Sequence, residues 1–229
     1  MSQTYHKSHQ PSSMSILMKK TIAIAILSLS FSLSSFAQDT KAKNILDAMS
    51  KSFKAMNAFQ ANFTYSTEGV GVKETAKGDV TVKGTKYRLK MVGQEIYNNG
   101  QTVSTFIKEN NEVTINNFEP SDNDINPAKI YSIYKKGYKY VFVEEQKQGT
   151  TVYEVIELTP ENKASQVKNV RISVDKKDKS VKAWKITNKD GKKTIFKVDK
   201  FMANPAGITD AYFTFDKTKN PGVEVVDLR

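Results

Sequence analysis

Cysteine is absent from the 229 residues, and the only two histidines, His6 and His9, lie close to the N-terminus. Without cysteine there is no disulfide framework, no thiol nucleophile and no thiolate site for zinc. From residue 38 onward there is also no imidazole, so a Ser-His-Asp triad, a Cys–His pair and a histidine proton shuttle are all excluded there. Copper loses its usual ligands as well. Paired carboxylates remain chemically open, since a glycosidase needs only two acids. The acids present, such as Glu144, Glu145, Asp122, Asp124 and Asp190, sit mainly beside turns and lysines. Ser121–Asn126, "SDNDIN", lacks the sixth-position glycine and the closing glutamate of a calcium loop, and reads as a polar connection. Gly69-Val70-Gly71 opens no helix and makes no phosphate cradle. The expectation is a protein with no catalytic residue, no metal and no cofactor.

Long apolar runs are missing too. The longest, Thr21–Leu33, spans 13 residues, whereas a membrane-crossing helix needs roughly 20. It follows Lys19-Lys20 and precedes Ser35-Phe36-Ala37, which is the pattern of a cleaved export signal. Met18 alone opens a complete signal, so the residues before it read as an early start. The expected domains are therefore 1–37, a leader cut near Ala37-Gln38, and 38–229, a single domain working in the periplasm. The whole chain carries 35 basic and 24 acidic residues. The leader holds three of the lysines and no acid, which leaves 32 against 24, a net +8. For an exported protein that balance suits anionic lipid surfaces or acidic protein partners better than nucleic acid, and a lysine-rich solvated surface equally well.

What is present is strong periodicity. In "DTKAKNILDAMSKSFKAMNAF", Ile45, Leu46, Met49, Phe53 and Met56 recur at helical spacing, with lysines on the other side and Asp39 or Thr40 as N-cap. The period then changes to two. Phe59, Ala61, Phe63 and Tyr65 alternate with polar residues, as do Val80, Val82, Tyr87, Leu89 and Met91. Asp79, Thr81, Lys83, Arg88 and Lys90 fall on the opposite, polar side. Asn98-Asn99-Gly100 and Asn110-Asn111 read as hairpin turns. Ala128–Lys136, with Ile130, Tyr131 and Tyr134 at helical spacing and Gly137 as C-cap, predicts a short inserted helix. Further strands are expected at Tyr138-Tyr140-Phe142 and in "TVYEVIEL", "VKNVRISVD", "VKAWKITN", "KTIFKVDKF" and "AYFTFD". The total is about eleven strands with one substantial helix, a sandwich or barrel pattern in which either the sheet closes or one face keeps a cavity.

Several ordered pieces resemble the periplasmic outer-membrane lipoprotein carrier family, LolA-like proteins. They are the amphipathic helix running into a phenylalanine-rich strand, Gly78-Asp79-Val80 with Val82-Lys83, and Gly100-Gln101-Thr102-Val103. Leu158-Thr159-Pro160, Phe213-Thr214-Phe215 and Pro221-Gly222-Val223 with Val225 complete them. The resemblance implies a mostly β fold: an unclosed antiparallel half-barrel, with the N-terminal helix and short helices as a lid over its concave face. It implies a non-enzymatic carrier that takes acylated lipoproteins from an inner-membrane transporter of the ATP-binding-cassette type and delivers them to the outer membrane or an acceptor there. One departure matters. In well-known members Gly-Asp-x-x-Val-Lys runs into an arginine that ties lid to sheet, and here Gly84 stands at that place, with Arg88 too far along to take the same role.

A carrier needs adaptable apolar walls, because about 0.8 kcal/mol per buried methylene supplies affinity without fixed hydrogen bonds. Methionine suits such walls. The candidate lining on the dry faces is Ile45, Met49 and Phe53 of the helix, Phe63, Val80, Val82, Tyr87, Leu89 and Met91 of the first strands, and Val113 and Ile115 further on. Ile130 and Tyr134 of the inserted helix and Ile172 and Val174 complete it. The same residues suit an ordinary closed core. A lipid-binding or lipoprotein-sensing module of the same fold is the alternative function, and a monomer is expected.

Overall fold

The computed structural model describes residues 1, 39–69, 72–119 and 127–229. The expected leader beyond its first residue, Val70-Gly71 and the Ser121–Asn126 connection lie outside the described residues. Residues 38–229 form one compact unit.

Helix α1, Thr40–Lys54, begins where the sequence places its cap. One oxygen of Asp39 accepts from the backbone N–H groups of Lys41 (2.9 Å) and Ala42 (3.1 Å), satisfying two donors that a helix start leaves free. Ala42, Ile45, Leu46, Met49 and Phe53 form its buried stripe, and Lys51 and Lys54 favour the negative end of the helix dipole. The chain then reverses at Asn57, whose N–H donates to Asn204 Oδ1 at 2.8 Å.

Twelve strands follow: β1 (Phe59–Gly69), β2 (Val72–Lys83), β3 (Lys86–Met91), β4 (Gln94–Asn98), β5 (Thr102–Ile107), β6 (Glu112–Asn117), β7 (Tyr138–Gln148), β8 (Thr151–Pro160), β9 (Val167–Asp175), β10 (Val181–Asn188), β11 (Lys193–Ala203) and β12 (Glu224–Asp227). They make one sheet in the order β12-β6-β5-β4-β3-β2-β1-β11-β10-β9-β8-β7. Every pairing is antiparallel except that of β12 with β6, which is parallel. Among the described residues no pairing joins the two edges, so the sheet is unclosed. This is the mostly β architecture the sequence implies, with one strand more than counted. The turn at Asn99–Gln101 forms as read: Asn98 Oδ1 accepts from Gly100 N–H at 2.7 Å, and Gly100 takes φ +90°.

Three expectations are corrected. The segment Ala128–Lys136 is not an α-helix but a turn followed by a single 3-10 turn, Ile133–Lys135. Ser132 bonds back to the Lys129 carbonyl through both its N–H (2.8 Å) and its hydroxyl (3.1 Å), closing i→i+3 rings where a helix needs i→i+4. The stretch "AYFTFD" is not a strand: Asp210–Phe213 is a 3-10 turn, and the chain beyond it crosses the sheet without joining it. Of its period-two phenylalanines, Phe215 meets rings on the face of the sheet and Phe213 is fully buried. The C-terminal Glu224–Asp227, not foreseen as a strand, becomes the parallel edge.

The register divides the side chains between two faces. The inner face carries the main core, in which α1 joins Phe59, Ala61, Val80, Val82 and Tyr87 of one half-sheet. Tyr138, Tyr140, Ile156, Leu158, Val170 and Ile172 of the other half belong to the same core. On the outer face of β2–β6, the predicted polar side is covered. Thr81 is fully buried, and Tyr97, Phe106 and Val113 are buried as well. The segment between β11 and β12 supplies the cover: the Phe215 ring meets Tyr97 at 5.6 Å and Phe106 at 5.3 Å.

Candidate functional site: an apolar cavity beneath the helix

A cavity of about 270 Å³ opens on the inner face beside the C-terminal end of α1. Its walls come from both half-sheets and the covering elements. Phe59, Ala61 and Phe63 come from β1, Val80 from β2 and Leu89 from β3. Val181, Ala183, Trp184 and Ile186 of β10 and Phe196, Val198 and Phe201 of β11 form the other side. Phe53 of α1 with Pro127 and Ile130 roofs it. None of these fifteen side chains is titratable, so the site holds and desolvates; it presents no acid, base or nucleophile. Among the described residues no cluster of acids could hold a metal ion.

Local packing explains the void. Phe63 lies against Gly78 on the neighbouring strand, and a Cβ built on Gly78 would sit 2.6 Å from both the Phe63 ring and the Lys90 carbonyl oxygen. Glycine there lets the ring lie flat on the sheet. Around it, Phe63 and Phe196 meet edge-on at 5.7 Å, and Phe59 and Phe201 stack at 5.6 Å. Such rings contact one another at discrete angles and leave space that branched aliphatics would fill.

The helix is held unequally along its length. At its start, the second oxygen of Asp39 accepts from the N–H of Phe142 on the edge strand β7 at 2.8 Å. That bond is the chief reason its carboxyl lies below the ordinary range. In the middle, Asp47 accepts from Lys43 and from the Tyr134 hydroxyl, each at 2.5 Å. These bonds lower the Asp47 carboxyl in turn, and burial together with the Asp47 bond pushes the Tyr134 hydroxyl up. At the end beside the cavity rings pack against it: Phe53 stacks on Tyr131 (5.6 Å) and meets Phe59 (5.3 Å) and Phe201 (5.7 Å) edge-on. Arg88 has no part in this. It lies on the outer face, bonded to Glu95 and Tyr97 at 2.9 Å each.

Of the predicted lining residues, Phe53, Phe63, Val80, Leu89 and Ile130 border the cavity. Ile45, Met49, Val82, Tyr87, Tyr134, Ile172 and Val174 are buried in the inner core without reaching it, and Met91 packs against that core. Val113 and Ile115 belong to the outer face, because they pair with Phe106 and Ser104, whose partners are Glu95 and Tyr97. The parity of β6 is thus one residue out of step with the expectation, and Thr114 is the inward one. Phe59, Ala61, Trp184, Phe196, Val198 and Phe201 line the cavity without having been expected there. Alternation signals Phe59 and Ala61 directly. Phe201 breaks the alternation of Phe196 and Val198, since Asp199 is skipped in the pairing of β11 with β1.

An unclosed sheet, a helical cover and an unfilled apolar space between them define the class: a protein built to hold an apolar guest. The profile of the family described as outer membrane lipoprotein carrier protein LolA matches residues 54–216, most of the chain, so the chain belongs to that family. Proteins of this family are periplasmic or extracellular and bind lipoproteins or other lipid cargo. No curated protein matches the sequence. Among solved structures, it is similar to an uncharacterized conserved protein from Thermus thermophilus, with 12% identity and a TM-score of 0.55, over 81% of this chain and 98% of that one. It is also similar to a putative outer membrane lipoprotein-sorting protein domain from Vibrio parahaemolyticus (11%, TM-score 0.44, 76% and 96%). LprF from Mycobacterium bovis is a third (11%, TM-score 0.45, 76% and 97%). At these identities the likeness concerns the fold. Among the described residues no helix is long and apolar enough to cross a membrane.

Proposed function

We propose that this protein is a non-enzymatic periplasmic carrier of acylated lipoproteins, exported by the 1–37 leader. Its cargo is received from an inner-membrane transporter of the ATP-binding-cassette type and passed to the outer membrane or an acceptor there. The observation that carries this reading is the cavity with an almost wholly apolar wall that holds no titratable side chain. At about 270 Å³ it sits just below the usual range for ligand pockets, roughly 300–1,000 Å³. A long acyl chain therefore needs the helix to yield. The ring contacts of Phe53 are the place to yield, since an acyl chain replaces them with contacts of the same non-directional kind. The polar bonds of Asp39 and Asp47 keep the start and middle of α1 attached meanwhile. Lys41, Lys43, Lys51 and Lys54 are all exposed along α1, and they suit docking to an anionic membrane surface or an acidic face of a transporter.

Native mass spectrometry of the protein exported by a host that makes triacylated lipoproteins tests this. The expected result is a bound lipoprotein, lost in Leu89→Glu, which buries a carboxylate in the cavity wall. Free lipid alone points to a lipid-binding module with another cargo. A ligand-free mass with no uptake of a hydrophobic dye overturns the carrier reading.

A further inference from the structure

A second and larger cleft, about 700 Å³, lies on the outer face between β3–β4 and the segment that crosses the sheet. It shares no lining residue with the cavity beneath α1, and its chemistry is different. Arg88, Lys217 and Lys219 border it against two acids, Glu95 and Asp216. Both acids are already satisfied. Glu95 accepts from Arg88 and Tyr97 and pairs with Lys108. Asp216 accepts from the N–H and the hydroxyl of Thr218 and lies 3.5 Å from Lys219. The donors are not satisfied to the same degree. Lys217 is exposed and has no ion pair among the described residues. Arg88 makes both of its bonds, to Glu95 and to Tyr97, through the single nitrogen Nη2. Its Nε is buried, and its side chain remains 21% exposed, so Nη1 is the donor left for a ligand.

Arg88 is also fixed in place. Its guanidinium carbon lies 4.6 Å from the centre of the Tyr97 ring and 5.0 Å from that of Tyr212. A guanidinium held by two rings and a carboxylate loses little further freedom when an anion arrives. We infer that this cleft binds a small organic phosphate, whose charged end meets Arg88 Nη1 and the Lys217 ammonium and whose body lies along Tyr212 and Phe215. A surplus of charged donors calls for charged acceptors, and a phosphate monoester brings three such oxygens. The volume falls within the range of roughly 300–1,000 Å³ typical of pockets that take whole molecules, more than a bare ion fills. Ala211, Tyr212 and Phe215 add apolar surface that inorganic phosphate would leave uncovered.

The exported, ¹⁵N-labelled protein is titrated with phenyl phosphate and, separately, with inorganic phosphate and with phenol, all at one ionic strength. The expected result is saturable binding of phenyl phosphate, with amide shifts confined to β3, β4 and residues 209–220, and little binding of either fragment. Lys217→Ala, at an exposed position, should weaken phenyl phosphate about 1.5- to 5-fold, the range of one exposed ion pair. Arg88→Gln should weaken it about tenfold or more, as the loss of a charged hydrogen bond does. Should Arg88→Gln fail to fold, Lys217→Ala decides alone. The inference is overturned if phenyl phosphate does not saturate, if its shifts map elsewhere, or if Lys217→Ala binds it unchanged. Equal affinity for inorganic and phenyl phosphate overturns it too, since that is an ion on surface lysines. Uptake of a hydrophobic dye reports the separate inner cavity and should be the same with and without phenyl phosphate.

Discussion

The inner and outer faces of the same sheet are closed by different means. On the inner face α1 presses an apolar stripe onto apolar strands, and where Phe53 meets Phe59 and Phe201 the contacts are rings with a void beneath. On the outer face the segment between β11 and β12 lies over a polar and aromatic network. There Arg88 sits 4.6 Å from the centre of the Tyr97 ring and 5.0 Å from that of Tyr212, and bonds to Glu95. Glu95 also accepts from Tyr97 at 2.7 Å and pairs with Lys108 at 3.0 Å. Directional bonds specify one arrangement and lose most of their energy when displaced. Apolar contacts can be exchanged for other apolar contacts at little net cost. The exchangeable closure thus lies over the cavity and the specific closure on the opposite face.

That contrast can be broken most sharply at Phe213, which is completely buried on the outer face. Phe213→Ala should lower unfolding free energy by about 3–5 kcal/mol, measured by denaturant titration, while acyl-chain affinity of the folded protein stays within twofold. A parallel loss of affinity would show that the outer closure shapes the cavity. Next in size is Asp39→Ala, which removes the helix cap and the bond to Phe142. A stability loss of about 1–2 kcal/mol is expected, together with faster uptake of a hydrophobic dye in stopped flow. Unchanged uptake would mean that this end of α1 does not govern opening.

The smallest effect concerns pH. Burial alone would raise the Glu95 carboxyl, but bonds from Tyr97, Arg88 and Lys108 outweigh it and hold the group at about 2 against an ordinary 4.5. The unfolded chain therefore takes up this proton first as pH falls. The stabilisation is fully present above about 4.5 and is lost progressively between there and 2. Glu95→Gln should flatten that part of the stability curve. Acyl affinity, by contrast, should stay level over the pH range where the protein is folded, since no titratable group lines the cavity. A bell-shaped binding profile would contradict the separation of the two faces.

The helix and most strands were legible because they rest on short-range periodicity. Asp39, the stripe from Ile45 to Phe53, and the alternation of Phe59 to Tyr65 each rest on a local signal: a helix cap or a repeat with one dry side. The cavity was legible only in part. Phe63, Val80 and Leu89 follow from strand parity and Phe53 and Ile130 from helical spacing, but periodicity shows which side of an element is dry and not which part of that side is filled. It also fails across the skipped Asp199, which turns Phe201 inward out of step with Val198. In β6, two apolar residues, Val113 and Ile115, mark a dry side that belongs to the outer face, because Phe213 and Phe215 arrive there from about a hundred residues away.

From the sequence alone came the absence of imidazole and thiol chemistry beyond residue 37, the single amphipathic helix, the antiparallel meander and the family pattern, all set by residue type and spacing within a few turns of chain. Tertiary structure alone decided that the polar side of β2–β6 is covered, that β12 joins in parallel, and that 128–136 tightens into a 3-10 turn. It also decided that Asp39 and Asp47 tie down the start and middle of α1, and that the aromatic rings of the inner face leave an unfilled space. These outcomes depend on which distant surfaces meet, and in a sheet that pairing is settled by the sum of many side-chain contacts rather than by any local repeat.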